Sequence, residues 1–206
     1  MSAREIRAHL CEVRAAPEAG QVRFAGYAAR FNTWSQNLGG FREQILPGAF
    51  AEAVQTDDVR CLLNHNPDHV LGRNRAGTLR LSEDEQGLYF EVTAPDTGWA
   101  RDLRVSVERG DINQCSFQFC ALDEEWNWAV PGSGDIDERT LKKCSLSDVS
   151  IVTYPAYLDT VAAVSSGRDM RDAAKERARA KEKADQNRRN NLEIQRRKLA
   201  LKEKEF

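Results

Sequence analysis

Few residues of this chain combine chemical reactivity with apolar surroundings, and they stand far apart in sequence. Two of its three histidines lie in one stretch, CLLNHNPDHVLGR, as His65 and His69. A spacing of four aligns two imidazoles on one helix face, as on a zinc-binding helix, but such a helix carries Glu beside the first histidine. Here the intervening residues are Asn-Pro-Asp, and Pro67 breaks a helical face. A metal pair would also want a third ligand; Asp68 could give an oxygen, and nothing else is evident. His65 alone, just beyond the apolar run VRCLL, suits a general base held by a buried strand at the edge of a cleft. Such a base needs a nucleophile and an orienting partner from elsewhere in the chain. Two surface histidines in a loop are the third alternative.

The nucleophile candidates sit in INQCSFQFCAL, a strand by its alternation and aromatic content. Ser116 lies between Cys115 and Phe117, where a lone hydroxyl is either satisfied by neighbouring backbone or has a task. Cys115 and Cys120 are rivals, yet nothing nearby in sequence would lower a thiol pKa. Asp148, in SLSDVSIVTYPA, is an acid in an apolar strand. Buried, it requires His, Arg or Lys as a partner; facing solvent, it requires none.

The elements that must position these groups are β-rich. Residues 21–31 read as a strand, with Gly26 a candidate bulge, and 32–50 as a loop broken by Gly39-Gly40 and Pro47-Gly48. GAFAEAVQTDD reads as a short helix and VRCLL as a buried strand. GTLRLSEDEQGLYFEVTAP is a hairpin, with Leu79 and Leu81 facing Leu88, Phe90 and Val92 around an acidic turn closed by Gly87. DTGWARDLRVSVERGD is a helix on Trp99, Leu103 and Val107, stopped by Gly110. EEWNWAV alternates, PGSGD breaks it, and RTLKKCSLSDVSIVTYPAY gives one or two strands ending at Pro155.

From Gly167 the character changes to a tail rich in Ala, Lys, Arg and Glu, a long polar helix or one that orders on a partner. Its apolar seam (Leu192, Ile194, Leu199, Leu201) is thin for a coiled coil. The near-neutral total charge of −2 conceals an acidic body, −8 over residues 1–166, and a basic tail, +6 over 167–206. That contrast gives the tail its own partner or simply a solvated face. Nucleic acid is not the expected partner, because acids are interspersed along the tail and no aromatic platform appears. No run approaches the ~18 apolar residues of a membrane span, and the N-terminus lacks the apolar core of a secretory signal. The five cysteines form an odd set without paired spacing, which points to a reduced, intracellular protein without cysteine-bound zinc.

Four segments taken in order carry more than any one of them. GYAARFNTWSQNLGGFREQILPGAF, LLNHNPDHVLGRNRAGTLRLSEDEQGLYFEVTAPDT, RDLRVSVERGDINQCSFQF and LSDVSIVTYPAYLDT together resemble the prohead (capsid-maturation) proteases of tailed bacteriophages, relatives of the herpesvirus assemblins. The resemblance spans roughly residues 21–165. It implies an α+β fold, a β-rich assemblin-like barrel with flanking helices, to which the charged helical tail is appended. Residues 1–20 are then an N-terminal extension, 21–166 the protease domain and 167–206 the tail. It implies a serine endopeptidase without cofactor or metal. Ser116 of the SF-x-F strand maps to the nucleophile, His65 of the NH pair to the base, and Asp148 to the acid of the later strand. The family's usual acid is Glu, so Asp148 must sit one methylene closer to the imidazole. Cys115 replaces a common Met. His69 matches no family position and is expected to be dispensable. The oxyanion is expected to be held by backbone N–H groups, with Arg73 as a candidate assistant and a surface or structural ion pair as its alternative role.

The resemblance further implies substrates among viral structural proteins: scaffold, the scaffold segment of the major capsid protein, and the protease itself. The place of action would be the immature procapsid in the host cytoplasm, with the gene carried by a phage or prophage. The assemblins dimerise, so a homo-oligomer is compatible, though no residue read here establishes one. A non-enzymatic capsid-assembly protein that keeps the protease fold is the alternative function.

Overall fold

The computed structural model describes residues 4–9, 13–18, 21–154 and 161–202. Its longest strand explains much of the rest. This strand, numbered β10 in chain order, runs from Asp137 to Val152 without the break that two strands would need. Its first part alternates buried and accessible positions, whereas Asp148–Val152 is buried at every residue, as expected of a strand covered on both faces. β9 (Gln114–Asn127) runs antiparallel along one side of it. Two short parallel strands share the other side: β4 (Phe41–Ile45) opposite Asp137–Leu141, and β5 (Arg60–Leu63) opposite Asp148–Ile151. β6 (Asn66–Arg73) extends the sheet beyond β5, and β1 (Glu5–His9) closes the far edge against β9.

A second, antiparallel sheet has the order β2 (Arg14–Glu18), β3 (Gln21–Arg30), β8 (Gly87–Thr93), β7 (Leu79–Glu83). The expected hairpin is present with its apolar face inward: Leu79, Leu88, Phe90 and Val92 are buried and Leu81 packs beside them. The irregularity of β3 lies between Tyr27 and Ala29, just after Gly26. Phe24, Phe50, Phe90, Phe117 and Ile151 from the two sheets and the loop between them meet in one core, with Phe50 edge-on to Phe117 at 5.5 Å. Deleting such a ring costs about 3–5 kcal/mol.

Short helices complete the body. α1 (Ala53–Thr56) is a single turn. α2 (Gly98–Glu108) buries Ala100, Leu103 and Val107, with Trp99 partly covered, and Gly110 follows at φ +80°. α3 (Val161–Lys202) is the predicted tail helix, and its beginning is docked. A Cβ at Gly167 would lie 1.7 Å from the Leu38 carbonyl oxygen, and Ala174 is buried. Arg171 and Lys175 pair with buried Asp137.

Three expectations change. The strands form two sheets, and among the described residues they do not close into the assemblin-like barrel that the resemblance implied. The stretch 32–50 is not loop throughout, because FREQI forms β4. Residues 1–20, expected as an extension, supply β1 and β2, one to each sheet. The expected strand end at Pro155 and the cysteine Cys11 lie outside the described residues.

Candidate active site

The turn after β5 decides where His65 points. Leu63 and Asn66 are paired, so Asn64 and His65 form a two-residue hairpin loop, and both have φ of +54°. Positive φ at both central residues is the type I′ signature that matches strand twist. Asn tolerates it readily; a histidine there costs about 1–3 kcal/mol and persists only when its surroundings hold it. They do. Asn64 N–H donates to the Ile151 carbonyl at 2.9 Å, and Asn64 Oδ1 accepts from Thr153 N–H at 2.8 Å. His65 N–H reaches Ser150 Oγ at 3.3 Å. The turn is thereby tied to β10, and the imidazole hangs over the sheet.

Beneath it, β9 and β10 place Ser116 and Ser150 as direct partners, with Asp148 two residues along β10 on the same face. A β-bulge falls between Leu146 and Asp148, of the kind that re-aims a side chain. His65 Nδ1 lies 2.6 Å from Asp148 Oδ1, and His65 Nε2 lies 2.7 Å from Ser116 Oγ. The aspartate reaches the imidazole despite its shorter side chain. It is 5% exposed, so its charge depends on these contacts. Ser150 Oγ supplies another, donating to Asp148 Oδ1 at 2.9 Å.

Ser150, which contacts both Asp148 and the His65 turn, is a candidate site residue that the sequence reading missed. Its signal was present: a second hydroxyl at i+2 from Asp148 on a strand lies on the same face.

The remaining candidates separate from this group. His69 lies on β6, where its Nδ1 meets the Asn66 side-chain amide at 2.9 Å and its ring sits edge-on to Trp99. Arg73 holds Asp58 bidentately, Nε–Oδ1 2.6 Å and Nη2–Oδ2 2.5 Å. Its side-chain hydrogen bonds therefore go to the ion pair that the sequence left open. The pairing holds the Asp58 carboxyl at about 2. Among the thiols, burial and the nearby Asp148 charge push Cys61 far above the ordinary range, and Cys115 belongs to the core on the other face of β9.

One contact blocks the site. Ser116 is fully buried because β1 lies along β9, with Ala8 opposite Ser116. The single hydroxyl proton of Ser116 has two acceptors, His65 Nε2 and the Arg7 carbonyl oxygen at 2.8 Å.

Comparison with known proteins gives the family. The sequence profile of the caudovirus prohead serine proteases matches residues 10–176, which takes in β2 to β10, all three groups around His65 and the docked start of α3. A search of solved structures finds similarity to the capsid assembly protease gp21 of bacteriophage T4. There the TM-score is 0.42 and the identity 12%, over 72% of this chain and 98% of that one. No curated protein sequence matches. The match over most of its length shows that this chain belongs to the caudovirus prohead serine protease family.

Proposed function

We propose that this serine protease acts in capsid maturation with Ser116 as nucleophile, His65 as general base and Asp148 as the group that orients the base. The unbroken chain of contacts Ser116–His65–Asp148, at 2.7 and 2.6 Å, carries the reading. With Nδ1–H donated to Asp148, Nε2 is left as the acceptor that Ser116 needs. As Oγ attacks a peptide carbonyl carbon, its proton passes to Nε2, and Asp148 stabilises the imidazolium that forms. That proton then goes to the departing amine. Water, activated by the same nitrogen, releases the acyl group. Ser150 holds both the carboxylate and the strained turn, so the base keeps one orientation throughout.

The substrates in this reading are scaffold or the scaffold segment of the major capsid protein, cleaved inside the procapsid. The chain's own N-terminal segment is a further substrate, since β1 already lies at the nucleophile. A fully buried Ser116 cannot serve another chain until β1 leaves, so activity is restrained until then. The basic tail, charged along its length and docked at its start, is the proposed handle for packaging. The test is co-expression with the adjacent major capsid protein, followed by gel and mass analysis. Wild type is expected to shorten the capsid protein and Ser116→Ala to leave it intact; cleavage by both would refute the assignment.

A further inference from the structure

β1 occupies the edge of β9 as an added strand would, and the side chains it buries there show what the cleft reads. Glu5 and Arg7 are paired with Phe119 and Phe117, so they project from the face of the sheet away from Ser116. The Glu5 carboxylate meets Arg139 with both oxygens, Nη1–Oε2 at 2.6 Å and Nη2–Oε1 at 2.9 Å. Arg7 meets the Glu43 carboxylate with Nε at 2.9 Å and Nη2 at 3.2 Å, and its guanidinium lies over the Phe119 ring. Glu5, Glu43 and Arg139 are 7%, 4% and 2% exposed. Arg139 also contacts Glu43 and Glu124. Burial alone would raise the Glu43 pKa; Arg7 and Arg139 outweigh it and keep it lowered.

Any peptide that replaces β1 must satisfy the same buried charges. A neutral side chain at the Glu5 position removes the bidentate partner of Arg139 and leaves it to Glu43 and Glu124. One at the Arg7 position removes one of the two cations that offset the burial of Glu43, and with it the contact to Glu5 at 2.7 Å. Such imbalances in buried charge discriminate between peptides. Resting on the serine peptidase reading above, we propose that the cleft selects peptides with a carboxylate side chain two residues before a basic one. Arg139 reads the carboxylate, Glu43 reads the base, and the bond cut follows the basic residue. The Arg7 carbonyl, whose oxygen Ser116 already contacts, marks that bond as Arg7–Ala8. In its hydrolysis Oγ bonds to the Arg7 carbonyl carbon, and its proton passes through Nε2 to the Ala8 amine as the C–N bond breaks. Water then gives the Arg7 carboxylate and restores Ser116. The pattern Glu5-Ile6-Arg7-Ala8 recurs at Glu12-Val13-Arg14-Ala15, so the same chain offers a second segment of that charge spacing.

Intact mass analysis of the purified full-length chain over time tests the proposal in cis. It is compared with Ser116→Ala, Glu5→Lys and Arg7→Gln. New N-termini at Ala8 or Ala15 are expected in wild type, none in Ser116→Ala, and at least about tenfold slower cleavage after Arg7 in the two charge variants. Because these variants also loosen β1, quenched peptides spanning residues 4–10 are added in trans. Glu is compared with Gln at the Glu5 position and Arg with Gln at the Arg7 position, and the charged peptide is expected to win by a similar factor. Equal cleavage of all peptides, or products ending only at other residues, overturns the charge reading while leaving the peptidase intact. Absence of Ser116-dependent cleavage of both chain and peptides overturns the peptidase reading and this inference with it.

Discussion

The two ends of β10 bury charge in opposite ways. Around Asp137 and Arg139, ions meet ions. Arg139 faces Glu5, Glu43 and Glu124, and Asp137 faces Arg171 and Lys175. Around Asp148 a carboxylate is met by an imidazole and a hydroxyl. The first arrangement fixes β1, β4 and α3 to the sheet and is complete in itself. In the second, the group beside the acid has a free-facing nitrogen that ends on Ser116. One end is built to hold; in the proposed mechanism the other exchanges a proton.

Substitutions should tell the ends apart. The largest effect is expected from Asp148→Asn, which keeps the shape but favours the wrong tautomer of His65. Turnover should fall by about 10⁴-fold with little change in folding, measured as the rate of capsid protein cleavage beside a denaturation curve. Arg139→Met should instead act on stability, since three buried or half-buried carboxylates lose a shared cation and Arg7 remains to only two of them, Glu5 and Glu43. A loss of about 3–5 kcal/mol is expected in chemical denaturation.

Acid should loosen the same end. Glu43 and Asp137 are both held below their ordinary values of 4.5 and 3.8. Burial opposes this, and their cationic partners outweigh it. A carboxylate lowered by folding contributes its stability above the unfolded pKa and loses it as pH falls through the folded value. The clamp on β1 and α3 should therefore be intact at neutral pH and fail progressively below about pH 4, seen as protease sensitivity of the N-terminus and of α3. Smaller still is Ser150→Ala. It removes one hydrogen bond from Asp148, worth about 1 kcal/mol, and should slow cleavage roughly fivefold.

The same contrast separates what the sequence revealed from what it hid. Apolar alternation marked β3, β7, β8 and β9, and the residues of the site stood on or beside such strands. Four strands escaped, β1, β2, β4 and β6, and two of them, β1 as EIRAH and β4 as FREQI, turn Glu5 and Glu43 inward. Alternation reads an acid as a solvent position, so a strand whose buried face is ionic looks like loop until its partner charges are known. The Asn64-His65 turn was hidden for a related reason. Without glycine nothing local announces positive φ, and the conformation is imposed by bonds to Ile151, Ser150 and Thr153 from a strand some 85 residues on. The resemblance supplied the order Ser116, His65, Asp148, which no local pattern joins. It also implied an assemblin-like barrel, whereas among the described residues the strands form two sheets.

The central claim is that one histidine of the His65–His69 pair is the base and the other is not. The direct measurement is the Ser116-dependent cleavage rate of the capsid protein in His65→Ala and His69→Ala, each checked for folding. Loss by at least about 10³-fold in the first, with most of the rate kept in the second, is the expected result. Equal losses in both would contradict it and return the two histidines to a shared role.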